Sequence, residues 1–105
     1  MNTKETTMSI RETCESIIYE LKNISFDELG DWMNENSLGD IRIETNLKRE
    51  FLGGKVLIAY GGPNIWLSTN EINAYWGNAE VSLALPSSVR DMLYDWFKDM
   101  WELYA

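Results

Sequence analysis

A chain of 105 residues carries 17 Asp and Glu against nine Lys and Arg, has no histidine, and bears a net charge of −8, with a pI near 4.4. Holding a nucleic-acid backbone or an anionic membrane surface requires clustered Lys and Arg, so neither is expected as a direct ligand; a basic protein surface is the partner such a field favours. The length sets one domain, expected over residues 9–105 behind a short flexible tail at 1–8 that lacks the apolar stretch of a signal peptide.

Ser9 and Glu12 form a capping-box pattern, and Ile10, Cys14, Ile17, Ile18 and Leu21 follow at helical spacing, predicting an amphipathic helix over 9–22. Ser25 and Glu28 repeat the pattern ahead of Phe26, Leu29, Trp32 and Met33, predicting a second helix at about 26–35. The period then changes. Ile41, Ile43 and Thr45 alternate with Arg42 and Glu44, as in a half-buried strand. Gly53-Gly54 is read as a turn and 55–60, apolar on both faces, as an inner strand. Gly61-Gly62-Pro63 breaks it. Ile65–Leu67 and Ile72–Trp76 read as two strands joined by a turn at 68–70, and Val81, Leu83 and Leu85 mark a last one after Gly77-Asn78. Pro86 ends the sheet, and Ser87 or Ser88 caps a final helix whose stripe is Val89, Met92, Leu93, Trp96, Phe97, Met100 and Tyr104. Short connections favour antiparallel neighbours. The expected fold is α+β: two N-terminal helices, a four- to five-stranded antiparallel meander, and a C-terminal helix packed on the sheet.

Chemistry is narrowed by what is missing. Without histidine the commonest general base and metal ligand is absent. One cysteine makes neither a disulfide nor a Cys-based zinc site, and suits a reducing cytoplasm; Cys14, in the apolar stripe, has no base to activate it. There is no P-loop, dinucleotide fingerprint or EF-hand loop. No apolar run approaches the ~20 residues that span a bilayer. A non-enzymatic protein with no metal and no cofactor is expected.

Two rows of acids remain. Asp91, Asp95, Asp99 and Glu102 recur on the last helix, and Asp27, Asp31 and Glu35 on the second. Residues three or four apart are stacked neighbours, where like charges cost ~0.2–0.5 kcal/mol per pair, and Asp99 and Glu102 also stand at the negative end of the helix dipole. A line of carboxylates at this spacing matches the scale of phosphates along a strand, so it suits a basic groove that otherwise holds nucleic acid; an ordinary solvated face is the other reading. The strand pattern puts Trp66 and Tyr75 on one face. They form an exposed cross-strand pair there, or a second core if the N-terminal helices cover that side.

The stretch Tyr60-Gly-Gly-Pro-Asn-Ile-Trp66, then Tyr75-Trp76-Gly77, then the acidic-aromatic final helix resembles an uncharacterised family of small proteins from phages and conjugative elements of Gram-positive gut bacteria. The resemblance covers Lys55–Tyr104 and implies a mobile-element origin rather than a mechanism. In size, acidity and αβ composition the chain is also similar to phage anti-restriction and anti-CRISPR proteins. The leading expectation is therefore a monomeric or homodimeric inhibitor whose acids occupy the groove of a CRISPR effector or another defence nuclease. The alternatives are an adaptor binding through Trp66, Tyr75 and Trp101, and a nucleotide-signal sequestering protein whose pocket gathers Arg42, Lys48, Arg49 and Lys55.

Overall fold

The structure, a computed structural model, describes residues 3–104. Its elements run α1 (Thr3–Lys22), α2 (Phe26–Asn36), β1 (Ile41–Thr45), β2 (Phe51–Ala59), β3 (Asn64–Ser68), β4 (Glu71–Trp76), β5 (Ala79–Ala84) and α3 (Ser87–Tyr104). The strands form one antiparallel meander in the order β1-β2-β3-β4-β5, so every connection is short and no crossover is needed. The fold is α+β, as the change of hydrophobic period predicts.

The strand alternation decides the layering. Val56, Ile65, Leu67, Ile72, Ala74 and Val81 are buried, while the residues between them, among them Arg42, Trp66, Asn73, Tyr75 and Ser82, are half-buried or exposed. α1 lies over β4 and β5, α3 lies over β2, and α2 packs against α3. One continuous core joins the inner sheet residues to Ile10, Cys14 and Leu21 of α1, Leu29, Trp32 and Met33 of α2, and Val89, Leu93 and Phe97 of α3. All three helices therefore cover one face of the sheet, and the other face is open.

Three details depart from the sequence pattern. First, α1 begins at Thr3 rather than at residue 9, so residues 3–8 of the expected tail are helical; residues 1–2 lie outside the described residues. Ser9 is an interior helical residue whose carbonyl accepts a hydrogen bond from Thr13 Oγ1 at 3.2 Å. The extra turns run past the β4–β5 hairpin, where Thr3 and Thr6 face Trp76–Ala79 across a shallow cleft. The second capping box does form: the Glu28 carboxylate accepts the Ser25 backbone N–H and hydroxyl, each at 3.0 Å, and these bonds hold its pKa below the ordinary carboxylate value.

Second, Gly53-Gly54 is not a turn. β2 runs through both residues, and the β1–β2 turn is Asn46–Glu50, where the Asn46 side-chain oxygen accepts the backbone N–H groups of Lys48 and Glu50. A Cβ on Gly54 would stand 2.7 Å from the Phe97 ring. The glycine is required by close approach of a helix, not by chain reversal. Thr69, buried beside it, accepts the Gly54 N–H and donates to its carbonyl, so the strand's polar groups stay satisfied.

Third, α3 starts one residue early. The Arg90 N–H bonds the Pro86 carbonyl at 2.9 Å, which makes Pro86 the cap position and puts Ser87 and Ser88 in the first turn. Along the helix, Val89, Leu93 and Phe97 are buried and Met92, Trp96 and Met100 half-buried, but Tyr104 is 79% exposed. It shares the inward phase and stands beyond the core, at the rim of a groove over β1.

Two glycines give opposite tests. Gly54→Ala should lower the unfolding free energy by about 1–3 kcal/mol through overpacking against Phe97. Gly30→Ala, inside α2 with nothing within 4 Å of the added methyl, should raise it by about 0.5–1 kcal/mol. Equilibrium urea unfolding measures both.

Candidate functional site

The inward phase of α3 fixes where its carboxylates point. Asp91, Asp95, Asp99 and Glu102 fall on the side of the helix away from Leu93 and Phe97, and all four are exposed. With 1.5 Å of rise per residue the row is ~16 Å long. Asp27, Asp31 and Glu35 lie likewise opposite Leu29, Trp32 and Met33 and are exposed. Because α2 packs against α3, both rows belong to the outer surface of one helix layer. None of these seven carboxylates forms an ion pair or hydrogen bond with a described residue; the one ion pair among the described residues joins Arg42 to Asp40 at 3.3 Å. Lys98 lies within the α3 row by phase and leaves it unpaired.

The acidic surface extends beyond the two predicted rows. Each helix contributes four acids, those of α1 being Glu5, Glu12, Glu15 and Glu20, whereas the five basic helical residues are Lys4, Arg11, Lys22, Arg90 and Lys98. The helix layer thus carries nearly all of the net charge. Glu12, Glu15 and Glu20 line an open groove with Ser16 and Tyr19. Glu20 also accepts the Trp32 indole N–H at 3.1 Å, tying α1 to α2. The signal for this third group was present in the same helical phase of residues 12–20; its looser spacing hid it.

The open sheet face has a different character. Trp66 is half-buried there between two cations: the Arg42 guanidinium carbon is 5.0 Å and Lys55 Nζ 4.8 Å from a ring centroid. Such contacts contribute about 0.5–1 kcal/mol each near a surface. Register explains them, since Arg42 pairs with Lys55 and Trp66 pairs with Leu57, the diagonal neighbour of that couple. Tyr75 shares the face and is 40% exposed. It sits opposite Asn64 while Trp66 sits opposite Asn73, so the two aromatics are diagonal rather than directly paired, and no helix covers them. Asn73 donates to Ser82 at 3.0 Å and to Glu71 at 3.4 Å, making the rest of the face polar.

Of the four cations of the sequestering hypothesis, Arg42 and Lys55 converge on Trp66, while Lys48 and Arg49 lie in the β1–β2 turn. Trp101 is half-buried against Phe51, at 5.9 Å between rings, and Phe51 also meets Tyr94 edge-on at 5.0 Å. Among the described residues there is no cluster of three or more Asp, Glu, Cys or His groups arranged to hold a metal, and no helix is long and apolar enough to cross a membrane.

The geometry defines a one-sided α+β sandwich with an acidic helix layer and a mixed, cation-clamped sheet face. The chain matches no protein-family model, and no curated protein or solved structure is detectably similar to it.

Cys14 is fully buried, and burial pushes its thiol up to about 11 from an ordinary 9.0. A thiol that binds its proton more tightly folded than unfolded makes stability fall as pH rises past its unfolded value. Stability should therefore decline between about pH 9 and 11, and the same decline should vanish in Cys14→Ala; the folded protein should resist thiol reagents that the unfolded chain consumes. Unfolding midpoints against pH, read in both proteins, check this.

Proposed function

We propose that the protein is a non-enzymatic inhibitor of a bacterial defence nuclease, of phage or mobile-element origin and acting in the host cytoplasm, that lays its acidic helix layer into a basic groove built for nucleic acid. A CRISPR effector is the target this reading favours. The observation that carries it is the presentation of the two acid rows. Seven carboxylates stand exposed and unpaired on rigid helices, spaced by the helix itself at intervals of ~6 Å. A groove that binds phosphates would meet negative charge at a similar spacing without having to bend a duplex. The row is also held against local preference: the last turn of α3 contains no basic residue, although carboxylates there oppose the helix dipole. Asp95 and Asp99 are the acids expected to matter most, as the centre of the longer row, with Asp91 and Glu102 at its ends and Asp27, Asp31 and Glu35 flanking.

A second reading, a protein adaptor, has its own support in the open sheet face. Trp66 and Tyr75 sit on rigid strands, and aromatic anchors of this kind make contact hot spots. The two cations already seated on Trp66 cover the ring that such an anchor would offer, so the acidic layer is preferred.

The test is protection of a target duplex from cleavage by a panel of guide-loaded CRISPR effectors. One member should be inhibited. For that member, Asp95→Lys with Asp99→Lys should weaken inhibition by at least about tenfold, and raising salt should weaken it steeply in the parent protein; Trp66→Ala should change it little. Inhibition that survives charge reversal and high salt, or that disappears with Trp66→Ala alone, would transfer the function to the sheet face. No inhibition of any effector would end the CRISPR reading.

A further inference from the structure

β1 is an edge strand whose outer side has a definite hydrogen-bonding pattern. Gly54 turns its N–H and carbonyl toward Thr69, on the β3 side, so its pair with Ile43 is of the kind that exchanges no hydrogen bonds. Ile43 therefore directs its own N–H and carbonyl away from β2, and Ile41 and Thr45 do the same by alternation. None of these groups has a backbone partner outside the β1–β2 ladder among the described residues. The strand contains neither Pro nor Lys, and the irregularity in its pairing is an extra residue, Leu52, on β2. The edge thus offers a short run of unpaired N–H and carbonyl groups that no Pro interrupts.

We propose that two copies of the chain join along this edge, β1 antiparallel to β1 about a two-fold axis at Ile43, to make one continuous sheet. The sequence of the strand is self-complementary in that register. Ile43 meets Ile43 as a hydrogen-bonded pair, and Ile41 meets Thr45. Arg42 of each copy then stands opposite Glu44 of the other, in the closer, non-hydrogen-bonded type of pair where side chains approach best. A two-fold axis makes the match twice. The opposite edge offers no such match: β5 carries one charged side chain, Glu80.

The helix side supplies the apolar part. A groove of about 400 Å³ lies over β1, lined by Ile41, Ile43, Met100, Trp101 and Tyr104. An axis perpendicular to the sheet keeps both helix layers on one side, so the two grooves merge. The β2 strands would lie three strand spacings apart, ~14 Å, wider than the ~8–10 Å between packed helices; large side chains from both α3 ends fill that width. The same symmetry brings Leu47, fully exposed in the β1–β2 turn, toward Leu38 of the second copy, itself mostly exposed. This inference does not depend on what the acidic layer binds; it joins two such layers side by side.

Sedimentation equilibrium from about 1 to 200 µM tests it. The expected species is twice the 12.2 kDa chain mass. Glu44→Arg should raise the dissociation constant at least about tenfold by setting arginine against Arg42, and adding Arg42→Glu should restore it to near the parent value. Both positions are exposed, and circular dichroism of each variant checks that it folds. Amide exchange gives a second readout: the Ile41 and Ile43 N–H groups should gain protection as concentration rises. A monomer throughout the range overturns the proposal, as does a dimer indifferent to Glu44→Arg, a double variant as weak as the single, or fast exchange at Ile43 at every concentration.

Discussion

The contact on which the rest of the structure depends is the Phe97 ring against Gly54. No other residue type leaves room for it, since a Cβ would meet the ring at 2.7 Å. The contact presses α3 onto β2, and Phe97 is completely buried there; removing a phenyl group from such a site costs about 3–5 kcal/mol. It also sets the rotation of α3. With Phe97, Leu93 and Val89 turned inward, helical phase leaves Asp91, Asp95, Asp99 and Glu102 no direction but outward. α2 then packs against α3 and presents its own acids on the same surface. A steric fact in one strand thereby decides the electrostatics of the whole helix layer.

One-sided packing is the second consequence. Three helices on a single face leave the other face of a five-stranded sheet in water, and antiparallel sheets tolerate this by alternating apolar and polar residues. The charges are partitioned accordingly. The helices hold most of the acids, while Arg42 and Lys55 sit on the open face around Trp66. The two charged head groups lie over the indole ring, and these cation–π contacts let a tryptophan stand on a solvated sheet without forming a sticky patch. A positive field there would be expected to compete with the acidic layer for partners, but Glu44, Glu71 and Glu80 on the same side keep the face mixed.

What could be read directly from the sequence was what local rules govern. Ser25 and Glu28 form their capping box because both partners lie within one turn, and the acid rows are exposed because phase relative to Leu29 or Leu93 is a local property. The same Ser-x-x-Glu pattern at Ser9 misleads, because a box needs a helix that starts there, and the β4–β5 hairpin gives α1 a surface for further turns. Gly53-Gly54 misleads for a deeper reason. A turn and a close approach both call for glycine, and what distinguishes them here is Phe97, remote in the chain. Trp66 is similar: its cations come from two other strands, so its surroundings follow from register, which the alternation alone does not fix. Tyr104 keeps the phase of the core but lies past it.

On the function proposed above, the α3 acids are retained at a cost to the fold, because the last turn of the helix holds carboxylates and no basic residue. The most direct measurement is equilibrium unfolding of the Asp99→Asn, Glu102→Gln variant beside the parent protein. Removing two carboxylates from the negative end of the helix, and with them their repulsion of Asp95, should raise the unfolding free energy by about 0.5–1 kcal/mol. An unchanged or lower value would make the row an ordinary, stability-neutral solvated face.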